Sequence, residues 1–345
     1  MKRSLSFVLS VIMLTVLLAA CGSNTAKDEQ STNSGAGDQA KTKKIALVLP
    51  EKIGVNPFFV QMDEGFNKAG AEFGVEVKTI QSTDPAAFEQ NLRAAVAENY
   101  DLIITATFQA EDALKKVATE NSDKSFAIVD VTVDLPNVRS VGFREYEAAY
   151  LLGATAGLST KTNIVGMVAA VDIPLIKKFT EGFRQGLAST NPTAEFLVNY
   201  VGGFADPAKA KELALVTAGK GADFIAGAAA TSDLGVFEAA KEKGFYTSGQ
   251  DVDRTELDPE HIVLSQLKST DTVTYETVKD FVNDKFEFGA VNYGLKEDGV
   301  GVTFITRDSK SALSPFIGQE VIDKVKKIRD DIVAGTIEVK DPLQQ

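Results

Sequence analysis

The sequence predicts an α/β protein built as two doubly wound parallel-sheet lobes. Short apolar runs alternate with longer amphipathic segments from Lys44 onward. Several runs, such as Leu102-Ile-Ile-Thr-Ala106 and Phe126-Ala-Ile-Val129, are apolar on both faces. The pattern also restarts midway, where Glu181-Gly182-Phe183 echoes Glu64-Gly65-Phe66. A strand apolar on both faces is one buried between two helix layers. Repeated strand–helix alternation is the doubly wound pattern.

Taken in order, a strand over 44–50 leads into a helix over 57–73. Asn56 is a good N-cap, and Pro57 suits the first helical position, where its missing N–H matters least. Phe59, Met62, Phe66, Ala69 and Phe73 recur at helical spacing and face the sheet. Phe58 falls off that stripe, beside the C-terminal edge of the first strand, where open α/β sheets bind ligands. Strands at 75–81, 101–107, 125–130 and 138–143, with helices at 85–99, 110–120 and 145–158, complete the first half. The second half repeats the alternation, with strands at 162–169, 195–201, 223–229, 245–250, 261–267 and 300–305. Its helices are 174–189, 207–220, 233–243, 270–285 and 317–334.

Composition narrows the function. Residues 1–20 hold Lys2 and Arg3 and no acidic residue, so without them 34 of the 36 basic residues face 48 acidic ones, a net charge of −14. Such a chain is a poor nucleic-acid binder. The one cysteine excludes an internal disulfide, and His261 is the only histidine, so clusters of His and Cys around a metal are excluded. No G-x-S-x-G elbow accompanies His261, which follows Asp258-Pro259-Glu260 and reads as a strand-entry residue. A carboxylate-based hydrolase would need a denser acidic cluster than Asp251-Val-Asp253. No enzyme, cofactor or metal is expected.

The N-terminus sets the location. Lys2 and Arg3 precede an apolar run from Phe7 to Ala20, shorter than the ~20 residues a spanning helix needs. Leu18-Ala19-Ala20-Cys21 resembles a bacterial lipobox, whose cysteine becomes the lipidated first residue of the mature chain. Gly22–Thr42 has no aromatic residue and no apolar side chain larger than alanine, so it cannot build a core. It reads as a tether with a root-mean-square span of roughly 25 Å. The resulting organisation is a signal peptide over 1–20, the lipidated Cys21 with its tether over 21–42, and then the folded body.

Residues 99–130 (NYDLIITATFQAEDALKKVATENSDKSFAIVD) and 141–158 (VGFREYEAAYLLGATAGL) resemble the basic membrane protein family, the purine-nucleoside receptor lipoproteins of bacterial ABC importers. Supporting stretches are Tyr200-Val-Gly-Gly-Phe204-Ala-Asp206, Gly235–Gly244, Gly249-Gln-Asp251-Val-Asp253, Leu264-Ser-Gln-Leu-Lys268 and Gly294–Gly301. Their order and spacing carry the resemblance across residues 44 to 335. It implies the type I periplasmic-binding fold, in which three crossover strands join two lobes and a ligand is enclosed at the hinge. On that template lobe one is 43–144 plus 252–288, lobe two is 145–251 plus 289–345, and 306–316 runs over the surface.

The resemblance also implies a site. Phe58 and Phe204 match the family's ring-stacking pair. Asp251 and Lys268 match positions holding ribose hydroxyls, and Asp130 matches a further ligand contact. Phe108, just past strand 101–107, and Asn56 complete the candidate set. The chain departs from the family near its start, where Leu49 replaces an Asp and Phe59 an Asn. Asn56-Pro57-Phe58-Phe59 looks more like the sugar receptors of the ribose and galactose type. The family's Gly-rich stretch is here Ala228-Ala-Ala-Thr-Ser232-Asp233. The expectation is a monomeric, lipid-anchored binding protein on the extracytoplasmic face of the cell membrane. It would capture a purine nucleoside for an ABC permease. A sugar or other ribosyl compound, or a sensor role, is the alternative.

Overall fold

A computed structural model describes residues 42–344. Cys21, the signal segment and most of the tether lie outside them. Among the described residues no helix is long and apolar enough to cross a membrane.

The first half runs β1 (Lys44–Leu49), α1 (Pro57–Phe73), β2 (Glu76–Gln81), α2 (Pro85–Ala97), β3 (Leu102–Ala106), α3 (Glu111–Glu120), β4 (Ser125–Val129) and β5 (Val138–Phe143). The chain then crosses to the second lobe. There it forms α4 (Glu145–Ser159), β6 (Ile164–Ala169), α5 (Pro174–Thr190), β7 (Glu195–Tyr200), α6 (Pro207–Gly219), β8 (Phe224–Ala228), α7 (Asp233–Lys243), β9 (Tyr246–Asp251) and β10 (Ile262–Lys268). It returns for α8 (Thr270–Val282) and β11 (Gly289–Tyr293), and crosses again for β12 (Val300–Val302) and α9 (Gln319–Val333).

Each lobe is built on a six-stranded sheet. The first has the order β11-β5-β4-β3-β1-β2 and the second β12-β10-β9-β8-β6-β7. All pairings are parallel except β12 against β10. In both, the first strand of the lobe sits between its second and third, which makes a topological switch point and opens a crevice beyond the carboxyl ends. Helix starts are set by short polar residues before proline. The Asn56 side chain accepts from Phe58 N at 3.2 Å, Asp84 from Ala87 N at 2.9 Å and Asp206 from Lys209 N at 2.9 Å.

The internal echo has a packing cause. A Cβ on Gly65 would lie 2.1 Å from the carbonyl oxygen of Asp271, in the first turn of α8. One on Gly182 would lie 2.6 Å from that of Tyr146, in the first turn of α4. Each glycine lets the helix that follows a crossover, α8 or α4, press onto the helix after the first strand of its lobe, α1 or α5. Phe66 and Phe183, one residue on, are fully buried behind them.

The fold is the one expected, with corrections. Strand β11 was not anticipated. The lobe boundaries also shift, because β10, placed by the template in lobe one, completes the second sheet, whereas β11, placed in lobe two, completes the first. The crossovers therefore fall at Arg144, at Ser269 and over 294–299. The segment 306–316 runs over the surface, as expected, and is pinned at its end, where Phe316 stacks on Tyr246 with ring centroids 4.0 Å apart. His261 precedes β10, as expected, and its Nδ1 lies 2.9 Å from Asp258 Oδ2.

The crossovers are tied together. Arg144 Nε meets Glu147 Oε1 at 2.6 Å, and its other nitrogen meets Glu297. Leu295 N donates to Glu147 at 2.7 Å, and Ser269 N donates to Gly299 O at 2.9 Å. The hinge thus joins all three segments through charge-assisted and backbone bonds.

Candidate ligand-binding cleft

The carboxyl edges of the two sheets face a common cavity of about 650 Å³, its open mouth included. The seven residues expected from the sequence all line it. Asn56 and Phe58 follow β1, Phe108 follows β3, Asp130 follows β4 and Phe204 follows β7. Asp251 and Lys268 end β9 and β10.

The aromatic side differs from a simple pair of facing rings. Phe58 is nearly buried and sits edge-on to Phe59, with centroids 5.3 Å apart and planes at 89°. Phe204 lies 6.1 Å from Phe108 at an interplanar angle of 39°, so a ring from each lobe meets at the cleft. Phe108 is 43% exposed, unlike the buried Phe58, and so marks the wet side of the cavity. Asn56 spends its side-chain oxygen on capping α1. Leu49 is fully buried in the core and does not reach the cavity, whereas Phe59 does.

The charged side centres on Lys268, 3% exposed. Its Nζ contacts Asp130 and lies 2.9 Å from Glu145 Oε1. Glu145 also takes Lys178 at 3.0 Å. The Lys268 ammonium lies 5.4 Å from the Phe58 ring centre and 4.9 Å from that of Phe143. Burial pushes the Asp130 carboxyl up to about 7; Lys268 pulls it back and Glu145 pushes it further. Burial alone would lower Lys268, but Asp130, Glu145 and Asp251 outweigh it and hold the ammonium charged. Burial likewise opposes ionisation of Glu145, and Lys268 with Lys178 overcomes it. Asp251 is raised by burial, with Lys268 acting against the shift. Among the described residues Asp251 makes no ion pair, and its carboxylate accepts only from Gln250 Nε2, at 3.3 Å.

The backbone is bent where these groups project. Thr107, Asp130, Ala230 and Asp251 have φ of 71°, 77°, 52° and 68°, and all line the cavity. Non-glycine residues adopt positive φ sparingly, and aspartate tolerates it better than most. Four such residues around one cavity, each at or just past a strand end, mark it as the place where the fold concentrates local strain.

Reading the sequence missed Glu145, Gln250 and Thr107. Glu145 passes for an ordinary acidic residue in a first helical turn. Gln250 adjoins Asp251 and offers no separate signal. The Thr107 Oγ1 and Gln250 Oε1 atoms are buried without a hydrogen-bond partner among the described residues.

Two doubly wound lobes enclosing such a cleft at a three-segment hinge define a solute-binding protein of the type I periplasmic-binding architecture, the class that serves ABC transporters. The chain belongs to the Bmp family, whose model, described as ABC transporter substrate-binding protein PnrA-like, matches residues 42–342. It is 31% identical to the CD4+ T-cell-stimulating antigen of Listeria innocua, over 99% of each chain. It is 28% identical to the ABC transporter nucleoside-binding protein BmpA of Lactococcus lactis subsp. cremoris, over 98% of this chain and 99% of that one. The crystal structure of an ABC transporter solute-binding protein from Aeropyrum pernix is similar at a TM-score of 0.76 and 26% identity, covering 87% of this chain and 94% of that one. Proteins of this family bind solutes for transport and are not enzymes.

Proposed function

We propose that this protein captures a purine nucleoside and presents it to an ABC permease. The observation that carries the reading is the division of one cavity into an aromatic side and a buried carboxylate–ammonium side. A nucleoside has the matching halves, a flat base and a sugar bearing hydroxyls. In this reading Phe204 and Phe58 stack on the base, with Phe108 closing over it. Asp251, Lys268 and Asp130 hold the hydroxyls, since ionised partners make the stronger hydrogen bonds. Asn56 fixes the loop that presents Phe58. Lobe closure around the ligand yields the form that the permease engages. A sugar also stacks a C–H face on an aromatic ring, but it has no flat π-system to lie between rings from the two lobes. Support for the nucleoside also comes from the name of the Lactococcus lactis relative.

The test is mass spectrometry of material released on denaturing the purified body, followed by calorimetry with adenosine, guanosine and inosine. A released purine nucleoside, or saturable binding of one, is the expected result. A released sugar, with no heat from any nucleoside, overturns the reading. Phe204→Ala is expected to weaken nucleoside binding by roughly 1–3 kcal/mol, the scale of base–aromatic stacking. Phe58→Ala should act in the same direction. Unchanged affinity in both folded variants would sink the aromatic contact.

The same reading places the protein on the extracytoplasmic face of the cell membrane, held as a monomer by lipid on Cys21. Cys21→Ser is expected to release the protein into the soluble fraction or leave it unprocessed. Fractionation that finds a mature-sized Cys21→Ser protein still in the membrane would refute the anchor.

A further inference from the structure

We propose that Gln250 contacts the ligand and accepts a hydrogen bond from the 5′-hydroxyl of a nucleoside whose vicinal diol sits on Asp251. The inference rests on the nucleoside reading above. Gln250 is 6% exposed and lines the cavity. Its Nε2 donates to Asp251 Oδ1 at 3.3 Å, and that carboxylate fixes which way the amide points. Its Oε1 is buried and has no partner among the described residues. A buried acceptor left unpaired is unfavourable, and native folds pair such atoms. Here the atom lies beside a ligand carboxylate at the lip of β9. The two side chains bring three acceptor oxygens to one lip of the cavity, two from Asp251, of which Oδ1 already takes the Gln250 amide, and one from Gln250. A ligand that satisfies all three offers three hydroxyl donors, which a ribofuranosyl group has at its 2′, 3′ and 5′ positions. With the diol on the carboxylate, the remaining hydroxyl falls to the amide. A 5′-phosphate would instead bring acceptors against acceptors. The class of reaction that must supply this ligand from nucleotides is phosphomonoester hydrolysis.

The experiment is a calorimetric square of wild type and Gln250→Leu, each with the tightest binder among adenosine, guanosine and inosine and with its 5′-deoxy analogue. Gln250→Leu should weaken the parent nucleoside about tenfold and the 5′-deoxy analogue less than about twofold. The free variant loses the amide bond to Asp251 together with the unpaired oxygen, so its unfolding temperature serves only to show that it folds. A purely structural glutamine would give equal losses for both ligands. That outcome overturns the inference and leaves the nucleoside reading standing. Should Gln250→Leu fail to fold, Gln250→Met, closer in shape, gives the same square. Failure of wild type to bind any purine nucleoside overturns the reading and this inference together.

Discussion

Lys268→Met is expected to lower the stability of the folded body by about 3–5 kcal/mol at pH 8, the usual penalty for removing one partner of a buried ion pair. Lys268 is almost wholly enclosed, and its ammonium is the charge that Asp130 and Glu145 share. Methionine keeps the unbranched stem and leaves the carboxylates. Glu145 retains Lys178 at 3.0 Å, so the uncompensated group is Asp130. The folded variant's response is to keep Asp130 protonated. In the unfolded chain that carboxyl returns to its ordinary value of 3.8, against about 7 in the fold. A raised folded value means that the stability linked to its proton is fully present below about pH 4 and is lost as pH rises through about 7. Without the ammonium the folded value rises further, so the loss continues above pH 7 at up to about 1.4 kcal/mol per pH unit. Glu145, held down in the fold by the two lysines, contributes above its unfolded value and loses part of that contribution in the variant. Both effects widen the gap between wild type and variant toward high pH. Urea unfolding followed by far-UV circular dichroism at pH 5, 7 and 8 measures it, the chain having no tryptophan to report by fluorescence. A gap independent of pH, or none at pH 8, would show that Lys268 is not the counter-charge that holds the carboxylates in the hinge.

The parts of the fold legible in the sequence are those set locally. The starts of α1, α2 and α6 follow from Asn56, Asp84 and Asp206 standing before prolines, and the structure shows each side chain making the capping bond. The central strands announce themselves because they are apolar on both faces. Strand β11 does not, since Gly289-Ala-Val-Asn-Tyr293 is short, largely exposed and lies at a sheet edge. Its existence depends on β5 lying alongside it, which no local pattern encodes. The lobe assignment of β10 was illegible for a related reason. Ile262–Lys268 is buried throughout and would suit either sheet equally well. The aromatic and charged ends of the cleft were implied by the family resemblance, and their residues fall at strand ends, where the topology concentrates ligand contacts. Glu145 and Gln250 escaped because their roles come from distant partners. Glu145 matters through Lys268 and Lys178, and Gln250 through having no partner for its oxygen among the described residues.

Asp251→Ala is expected to weaken a purine nucleoside tenfold to hundredfold, about 1.4–2.8 kcal/mol, while weakening its 2′,3′-dideoxy analogue far less. The carboxylate is 7% exposed, stands at φ 68° at the end of β9 and lines the cavity. An interlobe salt bridge is the structural alternative, and the geometry argues against it. The ion pairs of Lys268 go to Asp130 and Glu145, leaving Asp251 with one long amide contact. What ties Asp251 across the lobes is its backbone, whose carbonyl accepts from Gln61 Nε2 of α1 at 3.4 Å, and that bond survives any side-chain change. A buried carboxylate so sparsely bonded is unfavourable in the free protein, and burial accordingly raises its pKa. Two ligand hydroxyls would supply the missing donors to a charged acceptor, each bond contributing more than a neutral pair does. The dideoxy analogue lacks those donors, so it has little to lose when the carboxylate goes. Asp251→Asn, which keeps the tolerance for positive φ, separates a backbone effect of alanine from the loss of charge. Calorimetry on the four protein–ligand combinations gives the coupling free energy directly. Equal losses for nucleoside and dideoxy analogue would place Asp251 in lobe closure or folding, and the diol would have to be held by Asp130 and Lys268 alone.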